Sequence, residues 1–174
     1  MYSPFLDPSI SKMQEHLIID GNNAMHAIPE IMRELAKDRN MARDSLLRLL
    51  EPVVNDGDRL TVVFDGREGR GSIQKHRNID LFAVVYSSSS EGADGVIERM
   101  VIAAKQPARI CVITNDNLIR NCAYANGASA MRVEQFVKRL DHSIDQVKRR
   151  TEQVRNGSQL KSEPFHNRLE FPEV

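Results

Sequence analysis

Two apolar runs, Leu17-Ile18-Ile19 and Val62-Val63-Phe64, are each followed at once by an aspartate, Asp20 and Asp65. A strand with one face in water alternates apolar and polar residues, whereas an unbroken apolar run is buried on both faces. Helices must then cover both sides of the sheet, the arrangement of strand–helix–strand units with parallel strands. The rest of the chain repeats the unit. Strands are predicted over 16–20, 60–65, 81–86, 109–114 and 128–132. Helices are predicted over 28–37, 41–54, 92–105, 117–126 and from 133 to about 155, with Gly127 just past the end of the fourth. The segment 21–23 reads as a turn and 66–77 as a loop. The expected fold class is therefore α/β, three layers as α/β/α, around a central parallel sheet of about five strands. The expected organisation is an N-terminal extension at 1–15, one domain at 16–155 and a tail at 156–174. In that tail Phe165, Leu169 and Phe171 are spaced as though they dock on the domain.

Composition removes several functions. The chain has 174 residues, with 24 Lys+Arg against 24 Asp+Glu. Zero net charge excludes nucleic-acid binding by bulk charge and leaves only local basic patches. No apolar run approaches a membrane span of ~20 residues, and the first fifteen residues lack the basic-then-apolar order of a secretory signal. A cytoplasmic location follows as the expectation, with no membrane partner. Cys111 and Cys122 are too few for a disulfide scaffold or zinc cluster. Aromatic residues at 5% with no Trp argue against base-stacking platforms.

The aspartates carry the chemistry. Asp20 and Asp65 end two strands, and Asp116 follows the strand that closes at Thr114. Asp94 lies in the first turn of the helix after the third strand. In a parallel sheet all four face the carboxyl edge, where open α/β sheets place their ligands. Two unit charges 4 Å apart repel by about 4 kcal/mol at an effective dielectric of 20. A hard cation, Mg²⁺ or Mn²⁺, relieves that repulsion, and all-oxygen ligation suits it. Each residue also has a plainer reading. Asp116 serves as a cap for the helix starting at Asn117, and Asp94 interacts favourably with its helix dipole. Asn23 and Asn115 offer amide groups to water or phosphate, or form turns, and for Asn22 turn formation is the plain role. Glu98 shares a helix face with Asp94, Glu91 precedes the helix start, and His26 reads as a surface or capping residue. In the 66–77 loop, Arg67, Arg70, Lys75 and Arg77 are expected beyond Asp65 on the same edge. There they would track a polyphosphate backbone, or they are simply solvated. The loop is neither G-x-G-x-x-G nor a P-loop.

The ordered set LIIDGNN at 17–23, VVFDG at 62–66, EGADGVIERM at 91–100 and VITND at 112–116 resembles the NYN domain family. The resemblance is to its YacP-like branch of bacterial ribonucleases, within the wider PIN-like, Rossmann-like nuclease fold. The stretch Ala-Met-Arg-x-x-x-Phe at 130–136 is similar to the family's last strand and following helix. The resemblance implies Mg²⁺-dependent cleavage of RNA by an endoribonuclease. Asp20, Asp65, Asp94 and Asp116 match the acidic, metal-binding positions, and Asn23 matches the loop asparagine. The family often has an aromatic residue where Asn22 stands. RNA is the implied partner, free or within a larger ribonucleoprotein particle. Two other readings stand beside it: a noncatalytic RNA-binding or adaptor module, and a small-molecule phosphohydrolase. The last would want Asp-x-Asp after the first strand, where this chain has Asp20-Gly21-Asn22.

Overall fold

The computed structural model describes residues 14–55, 57–66 and 69–142, with single residues 145, 149 and 152. The expected tail at 156–174, most of the expected N-terminal extension and Arg67 lie outside the described residues. The chain divides into two units, 1–138 and 139–174. All the described residues of the second, 139–142, 145, 149 and 152, are helical.

The first unit contains strands β1 (His16–Asp20), β2 (Arg59–Phe64), β3 (Ser72–Lys75), β4 (Phe82–Tyr86), β5 (Ile110–Ile113) and β6 (Ser129–Met131). Its helices are α1 (Gly21–Ala27), α2 (Pro29–Leu35), α3 (Arg39–Asn55), α4 (Gly92–Ile102) and α5 (Asn117–Ala125). A further helix begins at 133. The six strands form one sheet in the order β3-β4-β2-β1-β5-β6. Five are parallel, and β3 runs antiparallel to β4. The fold is thus α/β with a mixed, mostly parallel sheet, one strand larger than expected.

The chain steps from β1 to β2 in one direction across the sheet and from β4 to β5 and β6 in the other. Right-handed crossovers then place α1–α3 on one face and α4–α5 on the opposite face. Burial follows the alternation of side chains along each strand. Ile18, Val63, Val85 and Val112 pack with Ala93, Val96, Ile97 and Ile119 of α4 and α5. Leu17, Ile19, Val62, Phe64 and Val84, one position out of phase, are equally buried toward the other face. Both faces are sealed, which is why β1 and β2 read as continuous apolar runs.

Two local expectations are corrected. The 21–23 turn is the first turn of α1. Asp20 caps that helix by accepting from the Asn23 backbone N–H at 3.0 Å. Gly21 opens it because a Cβ there would collide with the Phe64 ring. The 66–77 loop contains β3, whose register runs from Ser72 opposite Tyr86 to Lys75 opposite Ala83. That antiparallel return carries Lys75 and Arg77 from the carboxyl edge toward the amino edge of the sheet.

His16, at the amino end of β1, is half-buried with Nε2 2.9 Å from Thr61 Oγ1. Burial, and then the Arg59 cation, hold its imidazole down to about 4. An unfolded histidine titrates near 6.5, so between those values the unfolded chain binds the proton more readily than the folded one. Stability from this site is therefore complete above about pH 6.5 and is lost as pH falls toward 4. In a series of urea titrations from pH 7 to 4, a His16→Gln protein should show a shallower loss of stability than wild type, by up to one proton. Parallel curves would show that His16 titrates normally in the folded state.

Candidate active site

Parallel register brings the acids together. Asp20 is level with Val63 of β2, so Asp65 lies two residues beyond it on the neighbouring strand. On the other side Ile19 pairs with Ile113, which sets Thr114 beside Asp20. Asp94 arrives on the first turn of α4 and Asp116 on the cap of α5. The four carboxylates border one cavity of about 280 Å³, together with Asn22, Asn23, His26 and Ala93.

Each acid is held differently. Asp20 is buried: Oδ1 accepts from Asn23 N–H, and Oδ2 accepts from the Thr114 hydroxyl at 3.1 Å. The same Thr114 oxygen accepts from the Asp116 backbone N–H, tying the two acids through one buried side chain. Asp116 Oδ1 accepts from the Leu118 and Ile119 N–H groups, so it caps α5 while it borders the cavity. Asp65 Oδ1 accepts from Ala93 N–H at 2.8 Å, at the start of α4, and its Oδ2 accepts from the Asn22 amide. The Asp94 carboxylate is exposed and has no hydrogen-bond partner among the described residues.

The electrostatics record the crowding. Burial is the largest influence raising Asp20 above the ordinary carboxylate range, with the Asp94 and Asp65 charges adding to it against the Asn23 and Thr114 hydrogen bonds. Asp94 is raised by desolvation first, then by Asp116, Asp65 and Glu98. A carboxylate raised in the folded state binds its proton more readily there than in the unfolded chain. These two groups therefore oppose folding as pH rises through their folded values.

The donor set is wholly oxygen, the chemistry a hard divalent cation requires. Among the described residues, however, no three His, Cys, Asp or Glu side chains stand as a group that could hold a metal ion. The free Asp94 carboxylate and Asp116 Oδ2, which has no partner among the described residues, are the groups able to turn inward. The donors fit a cation; the gathered geometry does not yet grip one.

The other expected residues divide. Asn23 borders the cavity, and its Oδ1 accepts from the Asn115 N–H at 2.9 Å, leaving its amide donors unpartnered among the described residues. Asn115, expected to contact RNA, is instead taken up by the fold. Its Oδ1 accepts from Val133 N–H and its amide donates to Glu134, so it caps the helix beginning at 133. Lys75 pairs with Asp80, and Arg77 with Glu51, both through the hairpin that carried them from this edge. Arg70 is exposed in the bend before Gly71, whose neighbours are Tyr86 and Ser88 at the carboxyl end of β4. Glu91 pairs with Arg99, and Glu98 is felt by Asp94 without bordering the cavity.

Sequence reasoning gave Asn22 and His26 only plain turn and capping roles, and it did not weigh Thr114, Arg39 or Arg43 for the site. Arg39 Nη2 donates to Asn22 Oδ1 at 3.1 Å, and Arg43 Nη2 donates to the Asp65 carbonyl at 3.2 Å. The two arginines are four apart on α3 and therefore share a face. Arg39 lies before the helix predicted at 41–54, so neither the shared face nor its direction toward the acids was readable.

The chain belongs to the YacP-like NYN domain family, whose model matches residues 17–171. Among solved structures, Rae1 (YacP) from Bacillus subtilis is similar at 22% identity, with a TM-score of 0.64 over 84% of this chain and 85% of that one. A tryptophan-to-leucine mutant of the same Bacillus subtilis protein is similar at 23% identity, with a TM-score of 0.68 over 82% of this chain and 85% of that one. At such identity the likeness concerns the fold, which is the nuclease-like fold of the family. No curated protein sequence matches the chain.

Two acids of one cavity should contribute unequally to folding. Asp65→Ala removes the acceptor of the first turn of α4 and of Asn22, and should cost about 1–2 kcal/mol. Asp94→Ala removes an exposed, unbonded carboxylate and should stay within about 0.5 kcal/mol of wild type. Urea midpoints of the two variants check this. Equal losses would contradict the assignment of Asp65 as the bonded member.

Proposed function

We propose that the protein is a metal-dependent endoribonuclease that hydrolyses RNA phosphodiester bonds at the acidic cavity. The observation that carries the reading is four carboxylates from four separate elements on one cavity, none of them ion-paired among the described residues. Such a cluster opposes folding unless something positive joins it, and membership of the YacP-like NYN domain family gives that cluster a nuclease's setting.

Asp20, Asp94 and Asp116 would supply oxygens to one or two Mg²⁺ or Mn²⁺ ions, with Asp65 supplying its remaining lone pairs. A bound divalent ion lowers the pKa of a water molecule and offsets the charge that builds on the phosphate. The buried Asp20, fixed by two donors, sets the position of the site. Asn23, whose amide donors have no partner among the described residues, would orient the attacking water or a phosphate oxygen. In-line attack by water on phosphorus then breaks the bond to the 3′ oxygen, leaving 5′-phosphate and 3′-hydroxyl ends. RNA is the partner in this reading, met free or within a ribonucleoprotein particle.

The absence of a ready-made ligand group among the described residues favours one competing reading, an RNA-binding module without catalysis. A cleavage assay on generic single-stranded RNA separates the two. The nuclease reading expects cutting in millimolar Mg²⁺, none in EDTA, and a loss of two or more orders of magnitude in Asp20→Asn and Asp116→Asn. RNA bound but left intact by the wild type in Mg²⁺ and in Mn²⁺ would establish the module instead.

A further inference from the structure

The acidic cavity repels the phosphates it is proposed to cut, so cations at its border must hold the RNA. The expected ones do not all serve: Lys75 and Arg77 are paired near the other end of the sheet. Arg120 stands on the right edge, but its guanidinium donates to the carbonyls of Thr114 and Asn115 and to the Asn117 side chain. Arg43 lies over the Phe64 and Tyr86 rings, 5.3 and 5.4 Å from their centroids, and bonds the Asp65 carbonyl.

Arg39 differs from all of them. It is half-buried, and its single hydrogen bond among the described residues goes to Asn22, which itself borders the cavity. Its Nε is buried with no hydrogen-bond partner. No carboxylate among the described residues lies within ion-pair distance of it. It also opens α3, where a cation meets the positive end of the helix dipole. A buried orphan donor and a cation at that end both work against folding. Five donors in a planar fork, one of them used, make a receptor for a phosphate, whose oxygens match that fork.

We propose that Arg39 is a substrate-binding residue that holds a backbone phosphate of single-stranded RNA beside the acidic cavity. The assignment rests on the nuclease reading of that cavity and adds the residue that brings the substrate to it. Asn22 steadies the guanidinium through Nη2, while the remaining Nη donors are left for the anion.

The test is equilibrium binding of a short fluorescent oligouridylate in EDTA, where no cleavage interferes, over a range of salt. Arg39→Gln should weaken binding about tenfold or more and lower the slope of log K against log salt by about 0.7. Arg39→Lys should keep the slope but lose part of the affinity, because the charge stays and the fork goes. Asn22→Ala keeps the charge and the fork but loses their support, so its slope should stay at the wild-type value and its affinity should fall less than in Arg39→Gln. Unchanged affinity and slope in Arg39→Gln would overturn the proposal, as would an equal loss in Asn22→Ala, which would make Arg39 a support for Asn22. If Arg39→Gln fails to fold, Arg39→Lys decides: weaker binding at an unchanged slope supports the proposal, and wild-type affinity overturns it. A wild type that does not bind the oligouridylate also overturns it. A wild type that binds but does not cut in Mg²⁺ defeats the nuclease reading while leaving this measurement valid.

Discussion

The carboxylate of Asp65 fastens the carboxyl edge of the sheet. One oxygen accepts from the first turn of α4 and the other from Asn22 on α1, while the backbone carbonyl of the same residue accepts from Arg43 on α3. Helices from both faces of the sheet are thereby tied to one residue at the end of β2. α1 and α4 carry Asn23 and Asp94, so the latch also fixes where those groups stand relative to Asp20. Asp65, one of the two acids that directly follow an apolar run, is thus heavily used by the fold.

Thr114 does the same work on the other side. Its hydroxyl donates to Asp20 and accepts from the Asp116 N–H, so the loop after β5 is locked to the end of β1. Between these two fixed points the cavity holds four negative groups. Asp20 is buried and held by two donors, whereas Asp94 is more exposed and has no hydrogen-bond partner among the described residues. The site thus joins an acid fixed by hydrogen bonds to one that makes none among the described residues. That division accounts for acids that share a cavity without yet forming a ligand group.

Much of this was legible in the sequence. The sealed strands β1 and β2 and the parallel order follow from the apolar runs that end at Asp20 and Asp65, and the convergence follows once Asp94 is set in a helix's first turn and Asp116 just past a strand. β3 was not legible, because Ser72, Ile73, Gln74 and Lys75 are all exposed and an exposed edge strand leaves no burial pattern to read. The error then spread: a loop would have left Lys75 and Arg77 near Asp65, and an antiparallel strand carries them away. α1 was hidden because Gly-Asn-Asn is turn chemistry; the helix needs Gly21 for the Phe64 ring and Asp20 for its cap, both of them tertiary facts. Asn115 failed for a similar reason, since its partner helix starts eighteen residues later. Arg39 falls before the helix predicted from 41, and only the longer α3 and its packing show that it shares a face with Arg43 and which way that face looks.

If the four carboxylates form a cation site, a divalent ion must stabilise the folded chain at neutral pH, and melting curves read that directly. Wild type and Asp20→Asn should be compared in EDTA and in millimolar Mg²⁺. The account predicts that wild type gains stability with Mg²⁺, about 2.7 kcal/mol at one hundred times the dissociation constant, and that Asp20→Asn gains little. A wild type whose melting temperature ignores both Mg²⁺ and Mn²⁺, or an Asp20→Asn protein that gains as much as wild type, would contradict it.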